Sequence, residues 1–452
     1  MPERVTIYRA AWVLPVAAEP LRDGAVMVGR DGRIAAVGPR LALEAPEDAE
    51  IVELGEAALM PGLVNVHAHP ELSLFRGALE DLRFRDWILR LVGAKRTALR
   101  DEDYDVAARW SLVECLRAGI TTVAATESSA ASFGALREAG MRGVVYREVF
   151  GPDPAIAGES MADLRRSVER MRRDETELVR IGVSPHAPYT VSDRLFTACA
   201  EYARADALPM AVHAAESIPE RDLVTRGEGD FAPGLRARSI ETPVRGASTM
   251  EMLDRLGVLD ARPLLIHCVL VEYDDLVRMA DHGCAVAHCP VANARLGHGI
   301  APYAEMREAG ISVGLGTDSV GSNNRQDLLE EARIASLLHR GRVARYDVLS
   351  PTDLLRLATI DGARALGVDD RVGTLEPGKD ADLCAVALAA PHVRPVHDPA
   401  AAVFHAARGT DVTLTTVKGR VLFANGVVQT LDEAALAEAV MDPAARVREA
   451  LG

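Results

Sequence analysis

From about residue 59 onward the chain alternates short apolar runs with longer amphipathic stretches, eight times over. The runs are LMPGLVNVHAH, GITTVAAT, GVVYREVF, RIGVSPH, PMAVHAAE, PLLIHC, CAVAHCP and SVGLGTDS. Between them lie segments of helical periodicity, among them DEDYDVAARWSLVECLRAG and NRQDLLEEARIASLLHR. Short apolar runs separated by helix-length segments are what strands buried on both faces of a parallel sheet require. Eight such units predict a (β/α)8 TIM-type barrel, which takes roughly 250 residues. The full length of 452 leaves room for a second, smaller unit.

The flanks supply that unit. GAVMVGRDGRIAAVG near the start, and ADLCAVAL and VTLTTVKGRVLFANGVV near the end, read as hairpin strands joined by Asp-Gly, Lys-Gly and Asn-Gly turns. Neither flank alone has enough strands to bury a core, so together they are expected to form one composite β-sandwich domain. The expected boundaries are 1–58 and 371–452 for the two parts of the small domain and 59–370 for the barrel. The last helix, LDEAALAEAVMDPAARVREAL, is expected on the outside.

Composition excludes several partners. A formal net charge of −15 repels polyanions, and no basic block interleaved with aromatics offers an exception, so neither a nucleic-acid polymer nor a membrane is an expected partner. No apolar run approaches the roughly 18 residues needed to span a bilayer. Charges within MPERVTIYRAAWVLPV argue against a signal peptide, and the six cysteines form no CxxC pair, so a reduced, cytoplasmic chain is expected, as a homodimer or higher homo-oligomer.

Of 12 histidines, six (His67, His69, His186, His213, His267 and His288) fall at or just past the C-terminal ends of expected barrel strands. Barrel enzymes assemble their sites at that end, so residues far apart in sequence converge on one mouth. His67 and His69 alternate by two along one strand and can face the same ion. His213 and the strand-end Asp318 complete a mixed nitrogen and oxygen set for a divalent metal. Glu216, three residues past His213, stands where a carboxylate can move protons, His267 where an imidazole can stabilise an oxyanion, and Asp318 where it can also hold the attacking water. Taken singly, His186 and His288 read equally well as hydrogen-bonded core histidines.

PGLVNVHAH, SPHAPYT, HAAES, LLIHC, AHCPVANARLG, GLGTDSVGSNN and GTLEPGKDADL, in that order, resemble the amidohydrolase superfamily in its chlorohydrolase/deaminase branch. The resemblance implies a single metal on His67, His69, His213 and Asp318, with Zn2+ expected and Fe2+ or Mn2+ as alternatives. It also implies proton and charge handling by Glu216 and His267, and a substrate contact from His186. The strand of SPHAPYT has no lysine to serve as the carbamylated bridge of binuclear relatives. Within the branch the chain is similar to methylthioadenosine/S-adenosylhomocysteine and aminodeoxyfutalosine deaminases.

The expected reaction is hydrolytic deamination of a small heterocycle, an adenine nucleoside first. A chlorohydrolase of s-triazine-like rings and a guanine or other nucleobase deaminase are the alternatives, and a non-enzymatic scaffold is the alternative of another class. Asp86 and Trp87 in FRDWIL are expected to face the sugar from a lid formed by residues 71–100, together with Arg76. Arg142 and Arg147 are either ligands for a carboxylate on the substrate's tail or outward-facing arginines paired with glutamate.

Overall fold

The computed structural model describes residues 4–452. The eight apolar runs form eight parallel strands: β1 (Leu63–Ala68), β2 (Ile120–Glu127), β3 (Arg142–Val149), β4 (Val179–Pro185), β5 (Ala211–Ala214), β6 (Leu264–His267), β7 (Ala285–His288) and β8 (Ser312–Leu315). β1 to β4 pair in order, as do β5 to β8. Two parallel bridges join these halves into a ring, Val183 to Met210 between β4 and β5, and Ala68 to Asp318 between β1 and the tail of β8. The barrel is therefore closed.

Val64, Val66, Ala124, Val144, Tyr146, Ala211, Ile266 and Ala287 fill the interior, and the helix Ile360–Ala365 with Val368 and Val372 plugs its lower end. Alternate residues such as Val123, Val145, Val212, Leu265 and Val286 pack outward against the helices. With the floor filled by side chains, only the upper rim is open to chemistry.

The two flanks meet as expected, and their pairing is continuous. Ala57–Pro61 pairs with Leu383–Ala387, so N- and C-terminal strands share one nine-stranded sheet. The first apolar run is thus divided: its Leu-Met-Pro belongs to this sheet, and β1 begins after Gly62. Lys418 and Gly419, and Asn425 and Gly426, all have positive φ, the geometry that two-residue hairpin turns need. The last helix is two, Glu433–Ala439 and Met441–Leu451, and the second packs against the helix Phe84–Ala98 rather than on the small domain. All six cysteines are buried and free. Among the described residues no helix is long and apolar enough to cross a membrane.

Candidate metal and catalytic site

The rim is built where strand geometry breaks. The pairing of β1 with β2 shifts register between Asn65 and Ala68. That shift re-phases the alternation, so Val64 and Val66 stay in the floor while His67 and His69 turn to the mouth. At three other strand ends the chain turns through left-handed backbone on non-glycine residues: Ala215 (φ 51°), His267 (φ 74°) and Asp318 (φ 57°). Each such residue costs on the order of 1–3 kcal/mol, and each carries or adjoins a side chain of the cluster. Glu220 braces one of these turns, its carboxylate accepting from the backbone N–H of Ala215 (2.7 Å) and Glu216 (3.1 Å).

The donors of His67, His69 and His213 lie within 4.8 Å of one another, as do those of His67, His267 and Asp318. Asp318 Oδ1 is 3.3 Å from His67 Nε2 and 3.5 Å from His69 Nε2, while its Oδ2 accepts from Ser322 Oγ at 2.7 Å. His213 Nδ1 donates to the His186 carbonyl at 3.1 Å, which fixes its tautomer and leaves Nε2 free. His67 Nδ1 contacts Thr126 Oγ1 at 3.2 Å, and its Nε2, fully buried, has no hydrogen-bond partner. Burial pulls the imidazoles down, His67 and His69 to about 4 and His213 to about 3. Burial alone would raise Asp318, but the adjacent His67 outweighs it and holds the carboxylate well below its usual range. Neutral imidazoles, an ionised carboxylate and an orphaned buried nitrogen form a donor set that fits a divalent cation.

Beside this set lies Glu216, 3% exposed. Its Oε1 is 3.5 Å from His267 Nε2 and 3.3 Å from His298 Nε2, and its Oε2 accepts from Tyr189 Oη at 3.4 Å. Burial pushes the carboxyl up, and the two imidazoles bring it down to about 2. Asn293 organises the neighbours, contacting His267 Nδ1 through Oδ1 at 2.9 Å and accepting the His298 backbone N–H on its own carbonyl at 2.9 Å. His298 and Tyr189 were not singled out in sequence, although NARLGHG and SPHAPYT contain them. Neither strand position nor spacing marks a residue carried by a loop.

The lid is a helix, Phe84–Ala98, and it is Phe84 that covers the cluster, its ring 4.5 Å from His298 and 6.1 Å from Tyr189. Trp87 is buried and donates to the Gly321 carbonyl at 3.2 Å, so it anchors the lid. Asp86, expected at the sugar, is exposed on the outer side, with Arg85 as its nearest charge at 3.9 Å. In the first helical turn Phe84 and Trp87 take the inward stripe, and Asp86 falls between them. Arg76 ties the base of the lid to Glu114 and the Asn324 carbonyl.

Both arginines of β3 leave the mouth. Arg142 lies at the lower end, buried between Asp380 (2.7 Å) and Asp382 (2.9 Å) of the small domain. Arg147 faces the helix layer, its Nε donating to Ser167 Oγ at 3.1 Å. Strand alternation then turns Glu148 inward, 3.8 Å from His186 Nε2. The His186 ring lies 4.8 Å from that of His213, tilted against it by 38°, and its Nδ1 hydrogen-bonds Thr190 at 2.7 Å. His288 points away from the mouth and contacts His339 Nε2 at 2.9 Å in the core.

A mouth of this kind on a closed parallel barrel defines a class of hydrolase. The amidohydrolase family model matches residues 58–422, and the chain belongs to that metal-dependent family. It is 34% identical over 93% of its length to a 5-methylthioadenosine/S-adenosylhomocysteine deaminase of Moorella thermoacetica, of which 94% is covered. An adenosine deaminase from Xanthomonas campestris with bound zinc superposes at a TM-score of 0.86 and 28% identity, covering 99% of both chains. An atrazine chlorohydrolase from Arthrobacter aurescens, complexed with zinc, shares the fold at a TM-score of 0.84 and 24% identity, over 97% of this chain and all of that one. The chain is thus a hydrolytic enzyme acting on C–N bonds.

Proposed function

We propose that this chain deaminates an adenine nucleoside hydrolytically, with one zinc ion held by His67, His69, His213 and Asp318. The observation that carries the reading is the Glu216 carboxylate, buried beside that donor set with imidazoles on one oxygen and a phenol on the other. Lewis-acid activation of water near pH 7 is the chemistry such an ion supplies. Glu216 accepts one proton from the attacking water and passes it to the adjacent ring nitrogen, and the water's second proton goes to the amino group, which departs as ammonia. His267, locked by Asn293, stabilises the oxygen as charge develops on it. His298 and Tyr189 hold Glu216 in one orientation, and Asp318, steadied by Ser322, aligns the water. One C–O bond forms at the amino-bearing carbon, its exocyclic C–N bond breaks, and ammonia leaves.

Similarity to a named deaminase over nearly the whole chain favours a nucleoside over a triazine ring. Zinc-loaded protein is to be assayed for ammonia and chloride release against adenosine, 5′-deoxyadenosine, 5′-methylthioadenosine, guanine, cytosine and a chlorinated triazine. Ammonia release from at least one adenine nucleoside is expected, with kcat/KM about a hundredfold or more above guanine and cytosine. Chloride release from the triazine with no turnover of any adenine nucleoside overturns the proposal.

A further inference from the structure

Glu148 is a carboxylate without a task in the chemistry above. Its side chain is only 5% exposed, and its Oε1 is buried with no hydrogen-bond partner. The nearest group, His186 Nε2, is 3.8 Å away, beyond hydrogen-bonding reach. A buried carboxylate oxygen left unpaired is expensive, and such an atom at the rim of a site marks a contact that a ligand completes. Its neighbour is open to the mouth: the His186 side chain is 18% exposed, with Nδ1 committed to Thr190 and Nε2 available.

Position relative to the reacting groups narrows the ligand. Around the ring, Glu148 on β3 and Glu216 just past β5 lie on either side of β4, which delivers His186. Glu148, His186 and His213 offer atoms within 4.8 Å of one another, so Glu148 stands one side chain removed from the metal donors. This corner is therefore within reach of the sugar of a nucleoside whose base sits between Glu216 and His267. Among the described residues no free cation waits there for an anionic tail. Arg147 is turned to the helix layer, and Lys95 is held by Glu71 at 3.0 Å and Ser128 at 3.1 Å. A buried carboxyl with an unpaired oxygen beside an imidazole suits neighbouring hydroxyls, which can donate to that oxygen and exchange hydrogen bonds with the ring nitrogen.

We infer that Glu148, with His186, receives the vicinal 2′ and 3′ hydroxyls of the substrate's ribose. This assigns to β3 the sugar contact that the sequence suggested for Asp86, and it rests on the deaminase reading. The test uses the zinc-loaded full chain and two substrates: the adenine ribonucleoside it turns over fastest and the 2′,3′-dideoxy form of that nucleoside. KM is measured for each, or Ki where the analogue is not turned over, with wild type, Glu148→Ala and Glu148→Gln. The ratio of the two constants does not depend on how much of a variant folds. In wild type the dideoxy constant is expected to exceed the ribonucleoside's by at least about tenfold, the loss of two hydroxyl hydrogen bonds inside a buried pocket. Glu148→Ala is expected to raise the ribonucleoside's KM by at least that factor and the dideoxy constant by less than about twofold, bringing the ratio near one, with Glu148→Gln between. A ratio unchanged in Glu148→Ala, or a wild type indifferent to the hydroxyls, overturns this inference alone. A wild type that turns over no adenine nucleoside overturns the deaminase reading, and this inference with it.

Discussion

Glu216 meets two imidazoles on one oxygen and a phenol on the other, so its contribution can be separated from that of the metal donors. Glu216→Gln keeps the shape and removes the proton carrier. It is expected to retain bound metal while kcat falls by at least about a hundredfold, and His298→Ala, which loses a positioning contact only, to fall by about tenfold with metal intact. Metal analysis and turnover on the same samples check both, and near-normal turnover in Glu216→Gln removes it from the chemistry. At this scale the sequence was legible wherever a residue's place on a strand decided its direction. His67, His69, His213 and Asp318 converge because strand ends converge. Side-chain phase was not legible: Arg147 and Glu148 are neighbours, and which of them enters the mouth depends on the pleat of β3. Asp86 was misdirected for the same reason on a helix, where one position separates the inward stripe from solvent.

Strand tails and the lid set the cluster's shape. Gly316, just past β8, approaches β1 so closely that an added Cβ would stand 2.8 Å from His67 Cβ and 3.0 Å from Cys289 Sγ. Gly316→Ala is therefore expected to displace His67 while leaving the barrel folded, weakening metal binding by about tenfold, as displaced donors and lost supporting contacts do. Competition with a chromogenic chelator measures this, and an unchanged affinity shows that β1 and β8 can separate without moving His67. All eight barrel strands could be read from apolar runs, because a strand covered on both faces has no polar positions to blur the pattern. The register shift in β1 and the left-handed turns at Ala215, His267 and Asp318 could not. They are non-local solutions to aiming a side chain, and nothing in the local sequence distinguishes these residues from an Ala, His or Asp in ordinary backbone. The lid segment showed its length, but its helix rests on Met441–Leu451, a contact hundreds of residues away.

The whole molecule is held together by a buried charge joint beneath the barrel. Arg142 bridges Asp380 and Asp382, Asp380 also pairs with Arg371 at 2.6 Å, and Asp382 accepts the Lys418 backbone N–H at 2.7 Å. Removing the central cation leaves carboxylates buried and under-paired, which costs on the order of 3–5 kcal/mol. Arg142→Ala is expected to lower the melting temperature by at least about 5 °C without changing KM, and an unaltered melting temperature would mean that the two domains are not coupled through this joint. The composite small domain was foreseeable from two flanks each too short to fold alone, and the sheet they share gives the joint its lower half. The pairing of Arg142 with GKDADL was not, since nothing local links two segments some 240 residues apart.

The claim on which the rest depends is that one metal ion at the mouth, with Glu216 beside it, performs the hydrolysis. Chelated protein titrated with zinc while ammonia release from an adenine nucleoside is followed tests it most directly. Activity is expected to be absent after chelation, to rise linearly with added zinc and to level off at about one ion per chain, the stoichiometry of the proposed site on His67, His69, His213 and Asp318. Activity that survives chelation, or that levels off only at two ions per chain, would contradict the account.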